Sequence, residues 1–420
     1  MSEILQLSAL LRRPLIDSEG DRIGRVQDLV ARVGNEPHPP LAGVVVRIEG
    51  RDLFVPIRKI VGLSHGPLKY RGKKIDLRKF ERRPGELLLA EDLQTRHFIN
   101  LVRGRLITAT EIEVGERNGG WEVIGVDTSR RSLLRRLVGR QKGDSSTPRN
   151  FVDFGSIQPF VAHVPSANLK IPFRKLAKLH PAQIADLVEE ASHEEGEEII
   201  AAVGIDHELE ADVFEELDQA HRLEFLASRS DDDASQLLTR MQPDDAANLL
   251  GSIEPARRTN ILDQLPEPQL TKVRRLLSYS SATAGGLMST EFLTVRNDTT
   301  VESALDAART STIPGESLHA FFVTNENNQV VGVASVAQVV RAKPTDLLES
   351  VVRGTIKYAR LDWPLHRIAL VMSDFNLTVL PVVNEEDLEM IGVIMVDDLL
   401  NAMLPQGWRR EFGMGSVEES

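Results

Sequence analysis

Six apolar residues, Val213, Phe225, Leu237, Leu249, Ile261 and Val273, recur at intervals of twelve within residues 177–281. A second line, Phe214, Leu226, Leu238, Leu250 and Leu262, breaks at Arg274. A third, Leu217, Met241, Ile253, Leu265 and Leu277, is interrupted at Arg229. Twelve residues cannot hold the helix pair of the usual repeat arrays. They fit one helix of about two turns and a tight connection, with positions i, i+1 and i+4 on one apolar face. Such a helix is marginal alone, so neighbours must stack to bury that face. Start signals stand at His180-Pro181, Asp231–Asp233, Gln242-Pro243-Asp244 and Glu254-Pro255. Proline suits a first helical position because its missing N–H would have had no intrahelical partner. The spacing predicts an all-α superhelical fan of short helices whose hand stays open.

On either side the pattern changes. Residues 282–404 alternate helical runs (Val301–Arg309, Leu365–Met372) with strands (Ala320–Thr324, Val330–Val333, Val379–Val383, Ile391–Met395). Asp298, Val301 and Ala304 match Asp362, Leu365 and Ile368, and Gly332-Val333 matches Gly392-Val393, so a β-α-β-β-α unit is expected twice. Ahead of the fan the chain reads as β-structure. Leu41–Ile48 is followed by the turn signal Glu49–Asp52 and by Leu53-Phe54-Val55, while Gly34–Pro40, with three prolines, must be loop. Arg105–Val114 and Trp121–Thr128 look like a hairpin joined by Gly115–Gly120. Phe54–Ile60 and Phe151–Ile157 share Phe-Val-x-apolar-x-x-Ile, and Leu15-Ile16 matches Leu106-Ile107, which suggests two copies of one small β-unit.

At 420 residues the chain is long enough for about three domains. It has no cysteine, which excludes disulfides, thiolate metal sites and cysteine nucleophiles. Its apolar stretches fall short of the roughly 20 residues a membrane span needs, and Met1–Leu11 lacks the pattern of a secretory signal. A cytoplasmic, non-spanning protein is expected. The net charge of −12 is split: residues 1–150 hold 28 Lys and Arg against 19 Asp and Glu, and the remainder balances at −21. Such asymmetry suggests modules with different partners or a polar contact between them.

Three resemblances follow from these residues. "RRPLIDSEGDRIGRVQDLVARV" and "PPLAGVVVRIEGRDLFVPIRKI" resemble the opening and return strands of the PRC-barrel family, an adaptor fold, over about residues 1–176. Leu276–Val295, "LLSYSSATAGGLMSTEFLTV", resembles the junction between the helical N domain and first CBS motif of MgtE magnesium channels. Phe375–Met403, "FNLTVLPVVNEEDLEMIGVIMVDDLLNAM", resembles their second CBS motif. The implied fold is multidomain: N-terminal PRC-like β-barrels, an all-α short-helix superhelical N domain, and an α/β CBS pair. The expected division is 1–92 and 93–176 (two barrels, the second divergent), 177–281 (MgtE N-like), 282–345 and 346–404 (CBS motifs), and a flexible tail, 405–420. In the channels these cytosolic domains sense Mg²⁺ and a membrane bundle conducts it. This chain reads as the sensor without the pore, acting on a membrane transporter or other partner, and as a homodimer through its CBS pair.

The resemblance places metal-bridging acids near the contact of the N domain with the CBS pair, which makes Asp244, Asp245, Asp397 and Asp398 candidate Mg²⁺ ligands. The same acids could equally be compensating helix N-termini. Acids that the family pattern implies at His366, Asn376, Asn401 and Gln406 are absent, which weakens a site for a hard cation. Asp186–Asp218 carries 14 carboxylates and no Lys or Arg; it could be relieved by cations, be solvated, or dock on the basic half. CBS pairs also hold adenine nucleotides, with a Ser or Thr and an Asp three residues later on the ribose. Here the first copy has Ser335 but Gln338, and the second has Asp398 but Met395, half a site each. Adenine-nucleotide binding is thus an alternative ligand reading, and a passive PRC-barrel adaptor another.

No enzyme is expected. The ten histidines form no metal-spaced pair or triad-like cluster, and neither GxxxxGK[ST] nor a GxGxxG after a strand occurs. Basic runs at Lys69–Arg83 and Arg130–Arg140 could meet phosphates or an anionic membrane surface, or be solvated. Without interleaved aromatics, nucleic acid is not an expected partner.

Overall fold

The computed structural model describes residues 4–34, 36–72, 75–117, 119–129, 150–160, 173–313, 315, 318–352 and 355–404. Its contacts divide into two compact units, Met1–Leu217 and Asp218–Ser420. Arg130–Arg140 and the tail from residue 405 lie outside the described residues.

The first unit opens with Ile4–Gln6 (β1), a helical turn Leu7–Leu10, and Pro14–Ile16 (β2). Arg22–Arg32 (β3), Leu41–Ile48 (β4) and Arg51–Pro56 (β5) then form an antiparallel meander. Its second turn, Glu49-Gly50, has φ of 48° and 80°, as a two-residue hairpin requires. A 3-10 turn, Ile57–Lys59, leads to Ile60–Val61 (β6) and Leu68–Tyr70 (β7). Glu86–Leu88 (β8), the turn Leu89–Leu93, His97–Asn100 (β9) and Arg105–Thr108 (β10) follow. Glu111–Arg117 (β11), Gly120–Asp127 (β12) and Phe151–Asp153 (β13) repeat the meander, and the turn Phe154–Ser156 ends in Ile157–Pro159 (β14).

The duplication is visible atom by atom. Gly43 faces Pro56 and Gly125 faces Asp153, and each glycine lies under an aromatic ring. A Cβ on Gly43 would meet Phe54 at 2.6 Å, and one on Gly125 would meet Phe151 at 2.4 Å. The β3–β4 ladder slips at Val30/Ala31 and the β11–β12 ladder at Glu113/Val114, the same step of each copy. The echo at Phe54–Ile60 and Phe151–Ile157 is therefore a shared strand, 3-10 turn and strand. Leu15-Ile16, however, corresponds to Phe98-Ile99 on β9 and not to Leu106-Ile107. Arg12 and Thr95, at φ 65° and 64°, donate to Val26 O and Ala109 O. Val26 and Ala109 donate back to Arg13 O and Arg96 O. This exchange also divides the run expected at Arg105–Val114 into β10 and β11.

The copies trade their leading strands. β1 pairs with β11 and β8 pairs with β3, both antiparallel. Leu7, Leu10, Leu15, Val26, Phe98, Ile112 and Phe154 share one core. No closed barrel forms among the described residues; the sheet orders are β5-β4-β3-β2-β7-β6 with β8 beside β3, β1-β11-β12-β13, and β10-β9-β14. The unit ends in Pro181–Glu190 (α1), His193–Val203 (α2) and His207–Glu216 (α3). α1 packs on β10, where Gly104, at φ 57°, lies against Gln183.

In the second unit, Gln219–Ala227 (α4), Asp231–Arg240 (α5), Pro243–Gly251 (α6) and Pro255–Leu262 (α7) begin twelve residues apart. Gln269–Leu276 (α8) starts late, behind Pro266 and Pro268. Every residue of the first apolar line is buried. Packing is between alternate helices: α4 with α6, α5 with α7, α6 with α8.

The CBS pair follows. Leu293–Arg296 (β15), Val301–Thr310 (α9), Ala320–Thr324 (β16), Val330–Ser335 (β17) and Val336–Arg341 (α10) form one copy. Ala359–Arg360 (β18), Leu365–Asp374 (α11), Val379–Val383 (β19), Met390–Met395 (β20) and Val396–Met403 (α12) form the other. In each, the first strand runs parallel and the third antiparallel to the middle one. The matching glycines mark close crossings: a Cβ on Gly332 would meet Val352 at 2.1 Å and one on Gly392 would meet Met288 at 2.4 Å.

Candidate functional site

Asp244 and Asp245 occupy the first turn of α6, behind Pro243 and a residue, Gln242, whose side chain makes no cap. Acids there complement the positive end of the helix dipole. Asp244 is buried, and Asp245 is half-buried and ion-paired at 3.0 Å with Arg222 of α4. Arg257 of α7 does the same one step along: it meets Asp231 at 3.0 Å and donates to Leu226 O and Arg229 O. Gln269 donates to Leu238 O and Met241 O. These long side chains staple helices two or three places apart in the fan by satisfying acids and helix-end carbonyls. A cation at Asp245 would therefore compete with a guanidinium.

Asp397 and Asp398 stand in the first turn of α12, Asp397 exposed and Asp398 half-buried. Asp398 holds in its copy the place that Gln338 holds in the other, and Met395 the place of Ser335. Ser335 is the N-cap of α10. Its Oγ accepts from Gln338 N–H at 3.3 Å, and Gln338 Oε1 accepts from Ser335 N–H at 2.8 Å and Oγ–H at 3.0 Å. This reciprocal capping box engages the hydroxyl that a ribose would need. The pattern Ser-x-x-Gln before an apolar helix was the sequence signal for it. The pairs Asp244-Asp245 and Asp397-Asp398 thus sit on different helices, each at an N-terminus.

Backbone bonds tie the segment that follows the helical domain, at the start of the first CBS motif, to the second CBS copy. Lys272 of α8 pairs with Glu291. Ala284 and Gly285 donate to Trp363 O and Leu361 O, and Ser289 and Val393 exchange bonds at 2.8 and 2.9 Å. Gly286 permits the path, since a Cβ there would lie 2.2 Å from Ser280 O. Between the CBS copies, Phe322, Val330, Val379, Val383, Met390, Val393 and Met395 form one apolar layer.

The acidic stretch is partly a set of helix caps. Asp206 caps α3, Asp218 caps α4, and Ser192 with Glu195 forms a capping box on α2. Buried Glu195 also meets His97 of β9 at 3.3 Å, a link between the β-region and α2 that sequence spacing cannot show. In the basic run, Arg78 pairs with Asp76, Arg82 with Asp92, and Arg83 lies 5.1 Å over Phe54.

Residues 179–282 match the profile of the MgtE intracellular N domain, and residues 284–344 and 348–405 match the CBS domain. The magnesium transporter MgtE of Thermus thermophilus is 31% identical over 147 residues, 35% of this chain and 32% of that protein. The chain therefore spans about a third of the length of that relative. A crystal structure of the cytosolic domain of the Mg²⁺ channel MgtE in complex with ATP is 27% identical, with a TM-score of 0.51 over 55% of this chain and 93% of that one. The soluble part of a magnesium transporter, 20% identical, shares the fold with a TM-score of 0.50 over 54% of this chain and 89% of that one. Among the described residues no helix is long and apolar enough to cross a membrane. Residues 179–405 are therefore an MgtE intracellular N domain followed by a CBS pair, homologous to the cytosolic region of MgtE magnesium transporters.

Proposed function

We propose that this chain is a cytoplasmic Mg²⁺-responsive regulatory module that acts on a membrane transporter or another partner. The observation that carries this reading is the match of helical domain and CBS pair, in order, to 93% of the cytosolic domain of an Mg²⁺ channel. Asp244, Asp245, Asp397 and Asp398 are the proposed ligands. Mg²⁺ keeps most of its waters and needs only one or two carboxylates. Because Arg222 holds Asp245, and acids are missing at His366 and Asn401, the site works at millimolar cation. The β-region, resembling PRC-barrel adaptors, is the surface for the partner. Val340, Leu370, Leu400 and Met403, exposed on α10, α11 and α12, support a homodimer through the CBS pair. Size-exclusion chromatography with light scattering tests that assembly.

Small-angle scattering in chelator and in millimolar Mg²⁺ tests the main reading: the chain compacts with Mg²⁺, and identical profiles would sink it. A second reading, adenine-nucleotide binding, draws support from the ATP complex of the similar domain and from the half-sites Ser335 and Asp398. Calorimetry with ATP, AMP and Mg²⁺ separates the two. If nucleotide is the ligand, Asp398→Ala removes the nucleotide heat and leaves any Mg²⁺ response intact.

A further inference from the structure

The first β-copy carries a cavity of about 340 Å³ whose wall includes Arg32, Leu41, Phe54, Arg58, Arg83 and Glu86. The lining carries three arginines and a single carboxylate, a balance of +2 in a small volume. Among the described residues Arg32 and Arg58 enter no ion pair. Glu86 is buried; its Oε2 accepts from Arg83 N–H at 3.1 Å. No hydrogen bond reaches its Oε1, and Arg83 Nη1 stands 3.8 Å away. A buried carboxylate oxygen without a donor is costly and favours a ligand that brings an N–H or O–H.

The second copy supplies an internal control. By the strand registers, Arg32 corresponds to Gly115 and its β8 partner Glu86 to Ile4; by the shared strand and 3-10 turn, Arg58 corresponds to Gly155. Phe54 corresponds to Phe151, so the aromatic floor persists while these charged groups are gone. The fold therefore does not require this charge. The geometry points to a binding site in the first copy for a compact organic dianion, carboxylate or phosphate, that also carries a hydroxyl or amine donor. The guanidinium groups take the anionic oxygens by paired N–H donation, Glu86 Oε1 takes the donor, and Phe54 with Leu41 covers the carbon body. This inference stands apart from the Mg²⁺ and adenine-nucleotide readings.

The test is calorimetric titration of the full chain at physiological salt with succinate, malate, inorganic phosphate and glycerol 3-phosphate. Malate and glycerol 3-phosphate add a hydroxyl to their simpler counterparts, and comparing the two pairs separates carboxylate from phosphate recognition. At least one hydroxylated probe saturates below about 10 mM and binds more tightly than its counterpart. The double variant Arg32→Gly/Arg58→Gly, which reproduces the second β-copy at exposed positions, binds at least tenfold more weakly while still unfolding as a cooperative, folded protein. Glu86→Gln narrows the gap between malate and succinate. Failure of all four probes to saturate, or wild-type binding by the folded double variant, overturns the proposal.

Discussion

In the CBS pair each copy keeps its own three-stranded sheet, and the two meet through side chains such as Phe322, Val379 and Val393. Backbone contact between the two sheets is slight, with Val330 N–H donating to Leu388 O beside the side-chain bond of Gln329 Nε2 to Asp387 O. The segment ahead of β15, Ala284 to Ser289, supplies further backbone bonds to the second copy. The β-copies are joined differently. Each lends its first strand to the other's long strand and then caps the other's helical turn. Asp28 on β3 accepts from Ala90 and Glu91 N–H, at 2.8 and 3.1 Å. Glu111, its counterpart on β11, accepts from Ser8 N–H at 3.0 Å. Face-to-face packing lets a duplicated pair diverge one surface at a time. Strand exchange makes each copy's ladder depend on the other, so divergence is confined to outward positions such as Arg32/Gly115 and Arg58/Gly155.

The largest test of this contrast is Phe98→Ala. Phe98 is fully buried, edge-on to Phe154, in the core both copies share. Removing the ring should cost about 3–5 kcal/mol. Hydrogen exchange should then show β3 amides of the first copy losing protection together with β9 and β11. If β3 stays protected while β9 exchanges, the copies are energetically separate despite their traded strands.

Asp28 gives a pH-dependent test. Burial, as the largest cause, pushes its carboxyl from 3.8 to about 6, against the pull of its backbone donors. A carboxyl with a raised folded value keeps its proton where the unfolded chain is ionised. Its contribution to stability is therefore fullest below about pH 4, declines as pH rises to about 6, and is flat above. The span corresponds to at most about 3 kcal/mol. Unfolding curves of wild type and Asp28→Asn should differ in this window, wild type losing ground to the variant as pH climbs. Parallel curves from pH 4 to 6 would rule out a buried, titrating cap.

Why some of this was legible and some was not has a physical basis. The twelve-residue lines predict the fan because burial there is one-dimensional, each helix meeting its near neighbours. All of Val213 to Val273 are inside, and Pro181, Pro243 and Pro255 each open a helix. The CBS repeat was legible through Gly332 and Gly392, whose missing side chains admit Val352 and Met288. The strand exchange was not. Apolar alternation in β1 or β8 says which face is buried but is silent on which strand lies alongside. Hence the sequence aligns Leu15-Ile16 with Leu106-Ile107, whereas the positive-φ residues Arg12 and Thr95 set the true match. The pairing of Arg222 with Asp245 was likewise hidden, because their separation of 23 residues fits no helix face.

The glycine crossings sharpen the comparison of the CBS copies. At Gly332 an added methyl meets Val352, which is β-branched and has few rotamers to retreat into. At Gly392 it meets the flexible thioether of Met288. Overpacking of this kind costs about 1–3 kcal/mol. Gly332→Ala should lie near the top of that range and Gly392→Ala near the bottom, as read by urea unfolding. Equal effects would mean that the backbone rather than the facing side chain sets the tolerance.

The smallest effect separates the two uses of Ser335. As N-cap, its loss in Ser335→Ala should cost about 1 kcal/mol, because Gln338 N–H loses its acceptor and the Gln338 side chain loses one of its two donors. The second copy has Met395 in this place and no side-chain cap; its side chain lies instead in the apolar layer between the copies. If Ser335 serves only its helix, the variant is less stable and adenine-nucleotide heats are untouched. If it also meets a ribose, those heats fall by more than the stability loss explains. Unchanged stability would show that the capping box contributes nothing to the first copy.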